Sequence, residues 1–136
     1  MSYFRVFVYG TLKPGEVNYL FYCAEYVVEF FPAVAKGLLY ELPIGYPAMT
    51  EGDSNVHGFV LSLRNPEVFL ELDKLEDYHP ERPLEENEYQ RQKIPTFGLD
   101  GKYLWTVWSY LMLPEKVKLL GGKFLPSGYW TGNISS

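Results

Sequence analysis

Phe4-Arg5-Val6-Phe7-Val8-Tyr9-Gly10-Thr11-Leu12-Lys13-Pro14-Gly15 contains the architecture of this chain in miniature. Its first six residues are apolar, β-branched and aromatic with almost no polar alternation, which reads as a strand buried on both faces. From Gly10 the composition turns to breakers, so the strand is expected to end there in a loop. Working outward, residues 18–30 are apolar and aromatic with acids at Glu25 and Glu29, and read as a short helix. Residues 33–40 read as a strand bulged at Gly37. Pro43, Gly45 and Pro47 mark a loop, and 51–55 a turn cluster. Residues 56–63 form another strand. Residues 89–94 alternate as a strand with one wet face, and the turn 98–101 leads into a hairpin partner at 102–111. Pro114 followed by Gly121-Gly122 brackets a short helix at 114–120, and the tail from Phe124 reads as loop. The sum is α+β: a small mixed sheet curled toward a barrel, with a few flanking helices.

The 136 residues suffice for one domain with a proper core. With 47% hydrophobic and 21% charged residues the chain is expected to fold into a globule. A net charge of −5 and no visible basic patch argue against nucleic acid. No apolar run approaches the ~20 residues of a membrane span, and the N-terminus does not read as a signal peptide. The single cysteine, Cys23, permits no internal disulfide and fits a reducing compartment, so the cytoplasm is the expected location. Aromatic residues are numerous enough that a surface patch could serve a homodimer.

The segment from Asn65 to Asp77 opens as a helix, with Asn65 to cap free N–H groups, Pro66 at the first helical position and Glu67 at the positive end of the dipole. On a wheel with Phe69 at the origin, Leu75, Val68 and Leu72 fall at roughly 240°, 260° and 300°, and Glu76 at roughly 340°. Glu67, Glu71 and Lys74 lie opposite. One acid thus occupies the apolar stripe, where desolvation penalises it. It is either a helix-end carboxylate snorkelling to water or an acid placed for chemistry. Pro80 is expected to end the helix.

Other chemistries find few parts. His57 and His79 have no partners at metal-ligand spacing, there is no G-x-S-x-G elbow, and Cys23 reads as a packed, inert thiol. What remains is Glu76 and the Tyr9-Gly10-Thr11-Leu12 loop. Backbone N–H groups in such a loop can bind a carboxylate or oxyanion without a basic side chain, although a plain turn explains the same residues.

The stretch Val8-Tyr9-Gly10-Thr11-Leu12-Lys13-Pro14-Gly15 resembles the signature loop of the γ-glutamyl cyclotransferase-like proteins, including the γ-glutamylamine cyclotransferase and AIG2-like branches. Gly37-Leu38-Leu39-Tyr40 with Tyr46-Pro47-Ala48, Val56-His57-Gly58-Phe59-Val60, Leu72-Asp73-Lys74-Leu75-Glu76-Asp77-Tyr78 with Tyr89-Gln90-Arg91, Trp108-Ser109-Tyr110, and Pro126-Ser127-Gly128-Tyr129-Trp130 resemble later elements in the same order. The resemblance implies a γ-glutamyl cyclotransferase-like fold across residues 1–136, with a catalytic glutamate at Glu76. It implies a cofactor-independent lyase or acyltransferase that releases 5-oxoproline from a γ-glutamyl amine or γ-glutamyl amino acid by intramolecular aminolysis, with no metal. Backbone N–H groups of Gly10, Thr11 and Leu12 would hold the substrate, Tyr9 and Tyr110 would line the pocket, and Tyr89 and Arg91 would stand near the glutamate. Arg91 would orient Glu76 or seal a surface pair. Residues 42–49 and 81–88 would read the leaving group. Two other readings share these parts: a non-catalytic small-molecule-binding AIG2-like protein, and a γ-glutamyl acyl transferase or hydrolase acting on a tagged metabolite.

Overall fold

In the computed structural model, which describes residues 4–16, 18–19, 23, 25–65 and 67–132, strand β1 (Phe4–Val8) is enclosed on both faces. Val6, Phe7, Val8 and the following Tyr9 are all buried. Because consecutive side chains of a strand point to opposite faces, Phe7 and Tyr9 enter one core while Val6 and Val8 enter another. The remaining elements are β2 (Val27–Glu41), β3 (Pro47–Leu63), helix α1 (Val68–Leu75), a 3₁₀ turn (Leu84–Glu86), β4 (Gln90–Phe97), β5 (Tyr103–Leu111), helix α2 (Pro114–Leu120) and β6 (Lys123–Phe124).

The strands run in the order β3-β1-β5-β4-β2-β6, and β2 also pairs along β3, so five of them close a ring with β6 added beside β2. Only β1 and β5 are parallel, through Val6 and Trp108; the other pairings are antiparallel. Closure removes free sheet edges and produces the expected curled barrel. Its interior takes alternate residues from all five strands, among them Phe7, Ala35, Val60, Ile94 and Val107. Outside, Val6, Val8, Leu61 and Leu63 pack against Val68, Phe69 and Leu72 of α1. No helix among the described residues is long and apolar enough to cross a membrane.

Several boundaries differ from the sequence reading. The helix expected over 18–30 gives way from Val27 onward to β2, where Phe30 pairs with Leu61; cross-strand pairing overrides the local pattern. Residues 17, 20–22 and 24 of that expectation lie outside the described residues. The expected turn at 51–55 lies within β3. Between Gly37 and Leu38 the register jumps from Ser54 to Thr50, so Glu51, Gly52 and Asp53 form a bulge. The small residues are needed there: a Cβ on Gly37 would lie 2.7 Å from Thr50 O, and one on Gly52 2.6 Å from Leu38 Cγ. Strand β4 continues past Ile94 to Phe97, and the tail contributes β6 before it becomes irregular.

Helix α1 is shorter than expected. Asn65 Oδ1 accepts the Glu67 N–H at 2.9 Å, while Pro66 lies outside the described residues. The helix stops before Pro80, through its own C-cap. Asp77 takes a left-handed conformation (φ 54°), its N–H donates to Lys74 O at 3.2 Å, and the Tyr78 N–H donates to Asp73 O at 2.8 Å. This is a Schellman motif with aspartate where glycine is usual. It leaves Glu76 as the capping residue.

Candidate active site

One end of the barrel collects the residues that matter. β1 passes into Tyr9 and a loop whose turn is closed by Lys13 N–H donating to Gly10 O at 3.0 Å and Asn18 N–H donating to Thr11 O at 2.9 Å. Gly10 lies so near the start of β3 that a Cβ would stand 2.7 Å from Pro47 Cγ. Glycine is needed here for close approach, not for a positive φ. The end of α1 supplies Glu76, the approach to β4 supplies Glu88 and Tyr89, β5 supplies Tyr110, and the β2–β3 turn supplies Tyr46. With the loop they surround a cavity of about 150 Å³.

Most polar side chains on this wall are already engaged. Tyr9 Oη donates to Tyr110 O at 2.5 Å and accepts the Met49 N–H at 3.2 Å. Tyr89 Oη donates to Pro47 O at 2.6 Å, and Tyr110 Oη to Asp73 Oδ1 at 2.6 Å. Tyr46 Oη donates to Glu88 Oε2. Asn18 Nδ2 donates to Thr11 Oγ1 at 2.9 Å. The Glu76 carboxyl has no side-chain hydrogen bond among the described residues, and the N–H groups of Gly10, Thr11 and Leu12 find no acceptor among them. The cavity wall thus holds, among the described residues, a carboxyl without a hydrogen-bond partner and a loop with three N–H groups without an acceptor.

Glu76 is half-buried, and among the described residues no Lys, Arg or His lines the cavity. Burial first, and the Glu88 carboxylate second, push its pKa up to about 8. Burial also drives the hydroxyls of Tyr9, Tyr46, Tyr89 and Tyr110 far above the ordinary tyrosine range, with the charge on Glu76 adding to each. The Cys23 thiol is pushed up to about 12, again chiefly by burial, which makes it a packed thiol and not a nucleophile. The tyrosines therefore act as neutral walls, and Glu76 is the group that titrates near neutrality. Among the described residues, no three of His, Cys, Asp or Glu stand together as metal ligands.

Of the residues singled out from sequence, Tyr9, Gly10, Thr11, Leu12, Glu76, Tyr89 and Tyr110 all line this cavity. Arg91 does not. It lies beneath α1, with its guanidinium 4.9 Å from the ring centres of Phe69 and Trp108 and Nε 3.2 Å from Asp73 Oδ1. Its reach to the cavity is indirect: Asp73 also holds the Tyr110 hydroxyl. Glu88 and Tyr46 also line the cavity, and sequence alone does not single out either as a site residue. They come from the two stretches, 81–88 and 42–49, expected to read the leaving group, and proximity to Tyr89 and Pro47 was the available signal.

The model of the family described as "Gamma-glutamyl cyclotransferase, AIG2-like" matches residues 6–132. A Vibrio cholerae protein named "Putative gamma-glutamylcyclotransferase" is 36% identical over 107 residues, which is 78% of this chain and 79% of that protein. Among solved structures, an AIG2-like protein from Mus musculus superimposes with a TM-score of 0.73 at 18% identity, covering 99% of this chain and 92% of its own. A protein specific to uropathogenic E. coli does so with a TM-score of 0.66 at 20% identity, covering 96% and 94%. These two likenesses are of fold.

Proposed function

Because the chain belongs to the gamma-glutamyl cyclotransferase, AIG2-like family, we propose that it is a γ-glutamyl cyclotransferase releasing 5-oxoproline from a γ-glutamyl amine or γ-glutamyl amino acid, with Glu76 as its proton carrier. The observation behind this reading is that the Glu76 carboxyl, without a hydrogen-bond partner among the described residues, shares one small cavity with the donor-bearing Gly10–Leu12 loop. The substrate's α-nitrogen attacks its own γ-carbonyl carbon, forming the ring C–N bond, and the original amide C–N bond breaks. The α-ammonium gives up two protons and the leaving nitrogen gains two, so the reaction needs no water and Glu76 ends as it began.

The raised pKa of Glu76 favours that transfer. Burial brings its carboxyl up to about 8, which narrows the gap to the substrate's α-ammonium and lets the proton pass between partners of closer affinity. A carboxylate at its ordinary pKa would be too weak a base. The N–H groups of Gly10, Thr11 and Leu12 serve the substrate's α-carboxylate or the oxyanion at the γ-carbon. Tyr9, Tyr89 and Tyr110, with their hydroxyls engaged, shape the wall.

The test is a pair of substrates. A γ-glutamyl amine is expected to yield 5-oxoproline, detected by mass spectrometry, and its α-N-acetyl analogue none, since acetylation removes the nucleophile. Release of the amine at equal rates from both would show hydrolysis and overturn the assignment. Gly10→Ala should lower kcat/KM by roughly 10²-fold, because a Cβ against Pro47 displaces the loop from the reacting centre. Steady-state kinetics on the folded variant checks this.

A further inference from the structure

The cavity contains a second carboxylate for which the proposed reaction has no use. Glu88 lines the same wall as Glu76, and its Oε2 accepts a hydrogen bond from Tyr46 Oη, a residue brought in from the opposite side of the sequence by the β2–β3 turn. Two carboxyl groups share about 150 Å³, and among the described residues no cationic side chain lines that space. Resting on the reading of Glu76 as proton carrier, we propose that Glu88 is a positioning residue: clamped by Tyr46 at the wall of the same cavity, its negative charge raises the pH at which Glu76 gives up its proton.

The other groups around Glu76 leave this role to Glu88. Tyr9 at the end of β1, Tyr46, Tyr89 before β4, Tyr110 of β5 and Cys23 all face it as neutral groups, each held protonated by burial. On its own helix end, Asp73 is occupied by Arg91 and the Tyr110 hydroxyl. Asp77 is occupied by Arg82 at 3.1 Å, with His79 at 4.0 Å. Among the described residues no cation forms an ion pair with Glu88; the nearby Lys116 Nζ donates to Asn87 O at 2.8 Å. A like charge disfavours ionisation of Glu76, in the same direction as the upward shift that Glu76 shows. Tyr46 contributes by holding the carboxylate against the cavity, where solvent would otherwise draw it out.

The experiment is titration of the Glu76 carboxyl carbon by NMR in the wild type, Glu88→Gln and Tyr46→Phe, alongside the pH dependence of kcat/KM. Removing the charge should move the Glu76 midpoint and the acid limb of the rate profile down together by roughly one pH unit. Tyr46→Phe should move both in the same direction by less. A merely structural role would lower the melting temperature without moving either midpoint. An unmoved midpoint in folded Glu88→Gln overturns the inference. A wild-type chain that releases no 5-oxoproline overturns the proposed function instead, and the NMR titration still reads the coupling.

Discussion

Glu76→Gln is expected to lower kcat for 5-oxoproline release by roughly 10³-fold with little change in KM. Glutamine keeps the shape and polarity of the side chain, so the cavity wall and the loop that would hold the glutamyl head stay in place. What it lacks is a proton that can leave and return. General acid–base transfer contributes about 10²–10⁴-fold in enzymes, and here one carboxyl serves both the attacking and the departing nitrogen, so the loss should fall well inside that range. Wild-type turnover by the variant, followed by mass spectrometry of 5-oxoproline, would remove Glu76 from the mechanism.

The same substitution should act on stability with the opposite sign. In the folded protein the Glu76 carboxyl keeps its proton up to about 8, against 4.5 for the free group. Between those values the unfolded chain binds fewer protons than the folded one, so stability falls as pH rises through this window. Glutamine has no charge to bury. Glu76→Gln should therefore melt above the wild type at pH 9, and the two should converge near pH 4 in thermal melts. A damaged fold would lose both activity and stability. An acid kept for chemistry at the expense of the fold loses one and gains the other.

The sequence was legible where a periodic pattern is enforced by burial. β1 declared itself because adjacent residues feed two different cores, and Glu76 because a helical period left one acid among Val68, Phe69 and Leu72. Features set by distant chain were not legible. Glu51, Gly52 and Asp53 have the composition of a turn, and only pairing with β2 makes them a bulge. The left-handed Asp77 that ends α1 is marked only weakly by its residue type, because aspartate tolerates positive φ but seldom requires it. Glu88 is one of four acids between residues 81 and 88; what distinguishes it is Tyr46, forty-two positions away. Tyr89 and Arg91 share a strand face as the alternation requires, but two residues of rise carry Arg91 out of the cavity and beneath the helix.

Gly58→Ala should destabilise the fold by about 3 kcal/mol or more and displace the site along with it. Gly58 lies in β3 beside the end of β1, and a Cβ there would stand 2.2 Å from Val8 O and 2.9 Å from Phe7 Cζ. The first contact is with backbone, so no rotamer change relieves it. β1 has to separate from β3, weakening the Val8–Phe59 pairing, and the Phe7 ring has to shift with it. That displacement moves Tyr9 and Gly10, because they follow Val8 directly. At this chain length the loss corresponds to roughly 10 °C in melting temperature. Gly45→Ala makes the control: Gly45 has φ 102° with nothing within 4 Å of a Cβ, so it meets backbone strain alone and should lose only about 1 kcal/mol. Equal losses at the two positions would show that glycine at 58 relieves no steric conflict. A much larger loss at 58 identifies the glycine of the Val56–Val60 segment as the spacer that lets β1 aim its loop into the cavity.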